Sequence, residues 1–542
     1  MDSDRHPSDM HSRDDGFWDD DACYRAIETR DARFDGRLFT GVRSTGIYCR
    51  PVCPARTPKR ENCRFFRSAA AAQAAGFRPC LRCRPETAPH QGAWQGSANT
   101  VRRALALIDD GALDGDGGSR AGVVALADRV GVGERQLRRL FRRHLDATPL
   151  GVAQTRRLLL AKHLLHETAL PLTQVAMGAG YGSLRRFNEC FRAQFGRPPG
   201  ALRRAASSGR PATPAAGVSL TLRFRPPYDW DNVLAYLAAR AIPGVEAVDG
   251  DGYRRSIVLP AADGSLDADP AQGRLAVRAA GGDRLRVDIA CPDLRALPAI
   301  LARLRRLLDL EADPAAIGRH LSRDPVLAPL VAARPGLRAP GAWDGFELAV
   351  RAILGQQITV AGATALAGRL VQAHGTPLPP HLAEPGLSHS FPAPQALAAA
   401  EIGTPGSGLG MPRARAAALT GLAAAAAADP RLFSPLGSLE QAIAALRALP
   451  GIGEWTAQYI ALRQLREPDA FPAADIGLMR ALQALEGSPE RPSATALLAR
   501  AEAWRPWRAY AALHLWSADL PAAAPAQAAI GPKEAGDDRR AA

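Results

Sequence analysis

The sequence lacks any long apolar run. Within its 542 residues the longest hydrophobic stretch lies around residues 419–428, far short of the about 20 residues that a membrane-spanning helix needs. Residues 1–21 are polar and acid-rich, without the basic and apolar regions of a secretory signal. We therefore expect a cytoplasmic protein with no membrane partner. The length predicts three to four domains at about 150 residues each.

Lysine is scarce, because the chain contains only Lys59, Lys162 and Lys533. Arginine therefore carries the basic excess, in which 68 Lys and Arg outnumber 54 Asp and Glu and leave a net charge of +14. An excess of this size favours a polyanionic partner, with nucleic acid as the first candidate. A biased genome composition gives the same excess, so the charge alone leaves both interpretations open.

Cysteine is absent after Cys291, and five of the eight cysteines fall between residues 49 and 83. In a chain without a secretory signal, such a cluster favours a metal site over disulfides. Two close pairs match the spacing of a tetrahedral zinc site, which predicts one Zn²⁺. A reduced cluster of structural or redox cysteines is the alternative. The predicted ligands are Cys49, Cys53, Cys80 and Cys83.

The residues around these cysteines are specific. Gly-Val-Arg-Ser-Thr-Gly-Ile-Tyr-Cys-Arg-Pro-Val-Cys at 41–53 and Ala-Gly-Phe-Arg-Pro-Cys-Leu-Arg-Cys at 75–83 resemble the N-terminal zinc domain of the Ada family of DNA alkylation responders. We place this domain at 17–90. The resemblance implies that Cys49 is both zinc ligand and nucleophile, taking a methyl group from a DNA methylphosphotriester. Loss of one negative charge on methylation should tighten DNA binding. A purely structural zinc site is the alternative.

Residues 97–206 show apolar residues at helical spacing and predict an all-α domain. Two helix–turn–helix units follow each other, with second helices at 134–144 and 184–195. Residues 174–200 resemble the second half of the AraC-type DNA-binding domain, which implies a transcription activator with promoter DNA and RNA polymerase as partners. A plain amphipathic bundle is the alternative. The predicted DNA-contacting residues in the second helices are Arg135, Arg138, Arg139, Arg142, Arg185 and Arg186.

The rest of the chain predicts two further units. A small-residue linker at 207–217 precedes an α+β domain at 218–332, and a helical domain follows at 343–520. Residues 376–410 are Pro-rich and predict a loop insertion, and the tail at 521–542 is predicted to be disordered. The fold class is therefore multidomain and mainly α with α+β parts.

A Gly-x-Gly hairpin at Gly451 and Gly453 lies between two predicted helices. Such a turn exposes backbone N–H groups that can hold a DNA phosphate, although alone it is weak evidence. This hairpin resembles that of the helix-hairpin-helix DNA glycosylase superfamily, and so do residues 349–360, 471–475 and 504–516. Over residues 219–519 the chain most closely resembles the AlkA (3-methyladenine DNA glycosylase II) branch. Gln356 and Gln357 belong to the same expected DNA-binding surface.

This second resemblance implies the site residues. Asp475 matches the catalytic carboxylate, which would stabilise an oxocarbenium-like sugar and orient water. An alkylated purine is cationic and is best held between aromatic faces. Gln357 stands where some relatives insert a leucine wedge into the DNA, and Ile476 replaces a tyrosine. The residues that match the base pocket are Trp455, Tyr459, Trp516 and Tyr236.

Residues and motifs that the sequence lacks indicate which reaction the protein catalyses. Bifunctional relatives use a lysine Schiff base where this chain has Trp455, and no lysine lies between Lys162 and Lys533. We therefore predict a monofunctional hydrolase of alkylated double-stranded DNA. The four-cysteine iron–sulfur loop of some relatives is missing, since no cysteine follows Cys291, and the Pro-Cys-His-Arg site of O6-methylguanine methyltransferases is also missing. The alternative is a transcription activator whose glycosylase-like part is a non-catalytic scaffold.

Overall fold

The computed structural model describes residues 19–31, 34–88, 98–115, 119–205, 217–259, 271–402, 409–434 and 438–519. The predicted linker, apart from Gly217, and the predicted disordered tail lie outside these residues. Within the described ranges no helix combines the length and the apolar composition that a bilayer crossing requires.

The N-terminal unit is a four-stranded sheet flanked by two short helices. The strand order is β3-β1-β2-β4, with β2 and β4 parallel and the other pairs antiparallel. Gly41 lies where a Cβ atom would approach the Phe66 and Phe77 rings to 2.8 and 2.9 Å, so the sheet packs too closely here for a side chain. The elements are α1 (Asp20–Glu28), β1 (Phe39–Val42), β2 (Ile47–Cys49), β3 (Cys63–Phe66), α2 (Ala69–Ala74) and β4 (Arg78–Pro79).

The second unit is all-α, as predicted. Side-chain oxygens of Ser119, Thr148 and Ser183 cap three of its helices, because each accepts a hydrogen bond from a free N–H of the first turn. Both predicted second helices form, at residues 134–145 and 184–195. The elements are α3 (Ala98–Asp109), α4 (Arg120–Arg129), α5 (Glu134–Leu145), α6 (Pro149–Glu167), α7 (Leu172–Gly178), α8 (Leu184–Phe195) and α9 (Pro199–Ala205).

The third unit is a five-stranded antiparallel sheet, in the order β5-β9-β8-β7-β6, with helices beside it. Sequence alternation predicts β5, β7 and β9 but misses β6 and β8. The elements are β5 (Val218–Arg223), α10 (Trp230–Ala238), β6 (Glu246–Asp249), β7 (Gly252–Leu259), β8 (Ala271–Ala279), β9 (Arg284–Ala290), α11 (Leu297–Leu307), α12 (Pro314–Leu321) and α13 (Leu327–Ala333).

The fourth unit is helical except for one short ribbon. The Pro-rich stretch, which was expected to be a loop insertion in a helical domain, contains two short strands, β10 and β11, that pair with each other. Each strand has two residues and is fixed by Gln272, whose Nε2 donates to Ser390 Oγ at 3.1 Å. A two-residue strand leaves no periodic pattern in the sequence. The elements are α14 (Gly345–Leu354), α15 (Val360–His374), β10 (Thr376–Pro377), β11 (His389–Ser390), α16 (Pro394–Ala398), α17 (Arg413–Ala428), α18 (Leu439–Arg447), α19 (Glu454–Arg463), α20 (Ile476–Glu486), α21 (Ala494–Ala501) and α22 (Arg508–Asp519).

One hydrophobic core crosses the predicted linker. Leu164 and Phe187 of the all-α unit belong to the same buried cluster as Val287 and Leu301 of the α+β unit. The units also meet through buried charges, since Arg103 of α3 pairs with Glu467 of the last unit at 3.1 Å. Apolar burial of this kind holds neighbouring units in one arrangement.

Candidate metal centre and aromatic pocket

The four predicted zinc ligands form one cluster. Their Sγ atoms all lie within 4.8 Å of one another. Cys49 ends β2 and Cys80 follows β4, and the parallel pairing of these strands brings the two cysteines together. Tetrahedral Zn–S bonds of about 2.3 Å place ligand sulfurs about 3.8 Å apart, so the donor set and its spacing fit Zn²⁺.

The four cysteines differ in their exposure. Cys80 and Cys83 are buried, whereas Cys49 and Cys53 are half-buried. The backbone N–H of Arg50 donates to Cys83 Sγ at 3.4 Å, and such a bond stabilises negative charge on sulfur. Accessibility therefore favours the first pair, Cys49 and Cys53, for contact with an external electrophile.

A buried ion pair supports this cluster from the neighbouring unit. Lys162 of α6 is fully buried and donates from Nζ to the carbonyl oxygen of Cys80 at 3.1 Å. The same ammonium group pairs with the Glu86 carboxylate, which is also buried. Burial alone would raise the pKa of Glu86, but the charge of Lys162 lowers it below its ordinary value. Sequence reasoning missed both residues; the one available signal is a lysine within the apolar part of α6, in a chain that has only three lysines.

The second helices of the all-α unit expose their predicted basic faces. Five of the six predicted DNA-contacting arginines are exposed, and the sixth, Arg138, is half-buried; all lie opposite buried residues such as Phe141 and Phe187. Arg138 pairs with Glu134, and Arg185 pairs with Glu189 at 2.9 Å. The structure thus leaves the charges of Arg135, Arg139, Arg142 and Arg186 on the outer surface.

Asp475 lies between two indole groups. It is the N-cap of α20, where Oδ1 accepts from the backbone N–H of Leu478 at 2.9 Å. Trp516 Nε1 donates to the same oxygen at 3.0 Å, and Trp455 Nε1 donates to Oδ2 at 2.8 Å. Asp475 is half-buried. The carboxylate is therefore fixed against two of the predicted pocket aromatics and the first turn of the hairpin helix α19.

The four predicted pocket aromatics form one group. Trp455 and Tyr459, one turn apart on α19, stack with ring centroids 5.2 Å apart and planes 7° apart. The Tyr459 hydroxyl meets the Tyr236 hydroxyl of α10 at 3.2 Å. Trp516 contacts the group through Arg463, whose guanidinium lies 5.7 Å from its ring centroid. The aromatic group is thus built from both the α+β unit and the helical unit.

Arg463 is a pocket residue that sequence reasoning missed. It is buried, 3% exposed, and its guanidinium lies 4.5 Å from the Tyr236 ring centroid and 5.6 Å from that of Tyr459. Nη1 donates to the Pro340 carbonyl at 2.7 Å, while Nε has no hydrogen-bond partner among the described residues. Its position one turn after Tyr459 on the same helix was the available signal.

The hairpin and the glutamine turn meet. Gly451 has a φ of +82°, and a Cβ atom there would lie 2.5 Å from Ala418 Cβ, so the turn requires glycine. Gln356 Nε2 donates to the Gly451 carbonyl at 2.9 Å. Gln357 is exposed and left-handed, with a φ of +60°. The structure therefore joins Gln356, Gln357 and the exposed hairpin glycines, including Gly453, into one surface.

Four family descriptions match consecutive parts of the chain. They are the metal binding domain of Ada at residues 22–86, a helix-turn-helix domain at 126–205, the AlkA N-terminal domain at 219–344, and the HhH-GPD superfamily of base excision DNA repair proteins at 350–508. The order agrees with the order of the four units in the structure.

Individual relatives agree with this composition. A Mycobacterium tuberculosis protein described as "Probable bifunctional transcriptional activator/DNA repair enzyme AlkA" is 42% identical over 92% of this chain and 96% of its own length. DNA-3-methyladenine glycosylase 2 of Escherichia coli is 38% identical over 55% of this chain and 96% of its own. The bifunctional transcriptional activator/DNA repair enzyme Ada of Escherichia coli is 38% identical over 24% of this chain and 34% of its own.

The metal cluster, the basic helices and the aromatic pocket thus lie in units that match separately described families. The Mycobacterium tuberculosis relative aligns with this chain across all four units, over 92% of this chain and 96% of its own length. The chain belongs to the family of bifunctional transcriptional activator/DNA repair enzymes AlkA, with an Ada-type zinc methyl-acceptor domain, a helix-turn-helix regulator domain and a DNA glycosylase domain.

Proposed function

We propose that this protein hydrolyses the N-glycosidic bond of alkylated purines of the 3-methyladenine type in double-stranded DNA. The observation that carries the proposal is Asp475, whose carboxylate accepts hydrogen bonds from Trp455 and Trp516 at the aromatic cleft. An everted base that entered the cleft would bring its sugar toward this carboxylate.

Asp475 has the geometry for the chemical step. Three donors occupy its oxygens, and a carboxylate offers about four lone-pair sites. One site therefore remains to orient a water molecule toward the anomeric carbon. The negative charge stabilises the positive charge that develops on the sugar as the bond to the base breaks.

The aromatic rings supply the binding energy for the damaged base. Alkylation at N3 or N7 makes a purine cationic, and a cation is attracted to the face of an indole or phenol ring. Trp455 and Tyr459 present two parallel rings beside Asp475. A cationic base is also a good leaving group, so the enzyme needs no further activation of it.

The product is expected to be an abasic site and not a cut strand. Strand cleavage by a glycosylase requires an amine that forms a Schiff base with the sugar. The sequence has no lysine between residues 162 and 533, and Trp455 stands at the corresponding position of the hairpin helix. These observations support a monofunctional hydrolase.

The exposed hairpin and the glutamine turn are the proposed DNA contacts of the glycosylase domain. Gly451 and Gly453 present backbone N–H groups before helix α19, where its N-terminus favours a phosphate. Gln357 is held in a left-handed turn beside them. We propose that Gln357 enters the DNA stack when the base leaves it.

Cys49 is the proposed methyl acceptor of the zinc domain. Zinc, when bound, keeps the cysteine sulfurs deprotonated at neutral pH. The Cys49 sulfur attacks the methyl carbon of a methylphosphotriester, the S–C bond forms, and the C–O electron pair stays on the phosphate oxygen. The lost negative charge reduces repulsion from DNA. Cys53, Cys80 and Cys83 complete the ligand set.

The helix-turn-helix helices are proposed to read promoter DNA. Arg135, Arg139, Arg142 and Arg186 are exposed on α5 and α8, and arginine contacts both phosphates and guanine edges. As an activator the protein would act with RNA polymerase in the cytoplasm. The proposed domains are 17–90, 97–206, 218–332 and 343–520, and the four family matches support this division.

Excision of 3-methyladenine tests the enzymatic proposal. Full-length protein is mixed with methylated duplex DNA, and the released base is separated and quantified over time. Release of the free base with an intact strand is the expected result. Absence of release by the wild-type protein favours the second candidate, a transcription activator with a non-catalytic glycosylase fold.

A further inference from the structure

Two tyrosine hydroxyls meet inside the proposed base pocket. Tyr236, from the α+β unit, and Tyr459, from the hairpin helix, lie 3.2 Å apart between their oxygen atoms. In such a pair one hydroxyl donates to the other, and the accepting hydroxyl keeps its own proton for a second partner. Tyr459 also stacks on Trp455, which donates to Asp475, so the tyrosine pair adjoins the proposed catalytic carboxylate.

Two guanidinium groups lie over the Tyr236 ring. Arg240 is 4.2 Å and Arg463 is 4.5 Å from its centroid. Each cation would stabilise negative charge on the phenol oxygen much more strongly than it attracts the neutral ring. Because Arg463 is 3% exposed, solvent screens its charge weakly.

The other charged side chain that faces Tyr236 is also an arginine. Tyr236 faces Arg240 on its own helix, Arg463 and Tyr459 on α19, and Arg351 on α14. Arg351 is itself paired with Glu246 and Glu347. Burial alone would raise the pKa of Tyr236, but Arg463, Arg240 and the bond with Tyr459 lower it below its ordinary value.

A cationic base needs no proton donor, because it becomes a neutral molecule when it leaves the sugar. A neutral damaged purine is different, since its departing ring carries the electron pair of the broken bond and needs a proton. Asp475 accepts three hydrogen bonds and is assigned to the sugar, so another group is needed as the proton donor.

We propose that Tyr459 and Tyr236 form a proton relay that protonates a neutral damaged purine as it leaves the sugar, an inference that rests on the proposed glycosylase function. Tyr459 donates its hydroxyl proton to a ring nitrogen of the base as the C1′–N bond breaks and its electron pair moves to the base. Tyr236 gives its proton to the Tyr459 oxygen, and the negative charge ends on Tyr236 between the two guanidinium groups. Water adds to C1′ and releases one proton to solvent as the new hydroxyl forms, and solvent returns a proton to Tyr236.

The test compares two lesions in one duplex sequence under single-turnover conditions. One duplex carries hypoxanthine, a neutral purine, and the other carries cationic 7-methylguanine. In Tyr236→Phe the ratio of the hypoxanthine rate to the 7-methylguanine rate is expected to fall by about 10²-fold, the usual contribution of a general acid. Tyr228→Phe is the matched control, because Tyr228 also lies under a guanidinium, that of Arg338 at 4.6 Å, but outside the pocket; its ratio should equal that of the wild type.

The pH profile provides a second readout that a structural role would not change. The rate at which the wild type releases hypoxanthine should fall as the pH rises through the pKa of the tyrosine pair. This fall is the alkaline limb of the profile, and the rate of 7-methylguanine release should lack it. Arg240→Met removes one cation, so the limb should move to higher pH. Arg240→Met also tests the relay if Tyr236→Phe does not fold.

The outcomes separate the two proposals. A wild-type protein that releases 7-methylguanine but not hypoxanthine, an unchanged rate ratio in folded Tyr236→Phe, or a limb that stays in place in Arg240→Met overturns the relay and leaves the glycosylase proposal standing. Failure of the wild type to release either base overturns the glycosylase proposal itself.

Discussion

Lys162 Nζ donates to the carbonyl oxygen of Cys80 at 3.1 Å, so a helix of the DNA-binding domain supports the backbone of a zinc ligand. Glu86 pairs with the same ammonium group, and both side chains are buried. In Lys162→Met the buried Glu86 carboxylate loses its buried partner and keeps only the ion pair with Arg84 at 3.2 Å. We expect the free energy of unfolding to fall by about 3–5 kcal/mol, measured by urea denaturation.

The double variant Lys162→Met with Glu86→Gln is the control for that experiment. It removes both charges, so it should recover part of the lost stability. Equal stability of the single variant and the wild type would show that the pair contributes nothing.

Cys49→Ala should abolish methyl acceptance. Protein exposed to methylphosphotriester DNA is digested, and the cysteine peptides are analysed by mass spectrometry for one added methyl group. Cys63→Ala is the matched control, because Cys63 is buried outside the four-sulfur cluster. Methylation of Cys53 in place of Cys49 in the wild-type protein would show that Cys49 is not the nucleophile.

The exposed arginines of α5 and α8 should act through phosphate and base contacts. Arg142→Ala and Arg186→Ala should each weaken promoter binding and reduce the slope of log affinity against log salt by about 1 where the contact is a phosphate. Arg286→Ala, in strand β9, removes the same charge outside these helices and should leave the slope unchanged. Equal effects of all three substitutions would contradict the assignment of α5 and α8 as the helices that contact DNA.

Acid should destabilise the glycosylase domain through His514 on α22. Burial lowers the pKa of His514 to about 4, below its value in the unfolded chain. The unfolded state therefore binds a proton first, so this contribution to stability is complete above about pH 6.5 and is lost as the pH falls toward 4. Wild-type protein should lose about 2 kcal/mol more than His514→Gln between pH 7 and pH 5.

Denaturation midpoints at the two pH values check this expectation. His166, whose pKa burial also lowers to about 4, titrates in both proteins and so cancels in the comparison. An identical pH dependence of the two proteins would contradict the role of His514.

Local sequence patterns predicted the parts of the molecule that depend on neighbours in the chain. The spacing of Cys49 and Cys53 indicated two ligands of the four-sulfur cluster, and the Gly-x-Gly pattern indicated the hairpin that Gln356 contacts. Asp475 and its aromatic neighbours were implied by the resemblance to helix-hairpin-helix glycosylases, and the structure brings them together. The helices around the two helix-turn-helix turns were predicted within a few residues, because apolar periodicity and capping residues are local signals.

Contacts between distant segments were beyond such reasoning. The pairing of Lys162 with Glu86, and the placing of Arg463 over Tyr236, join elements from different units. A single sequence holds no signal for which buried charge meets which partner. The strands β10 and β11 were missed for another reason, since a side-chain contact with Gln272 and not periodicity fixes them.

Excision of 3-methyladenine by wild-type protein and by Asp475→Asn tests the central claim most directly. Asp475 caps α20 and Asp344 caps α14, and asparagine caps a helix about as well as aspartate, so Asp344→Asn is a matched control that should excise at the wild-type rate. Asp475→Asn should lose about 10³-fold in rate because the charge that stabilises the sugar is removed. A folded Asp475→Asn protein that excises at the wild-type rate would contradict the account.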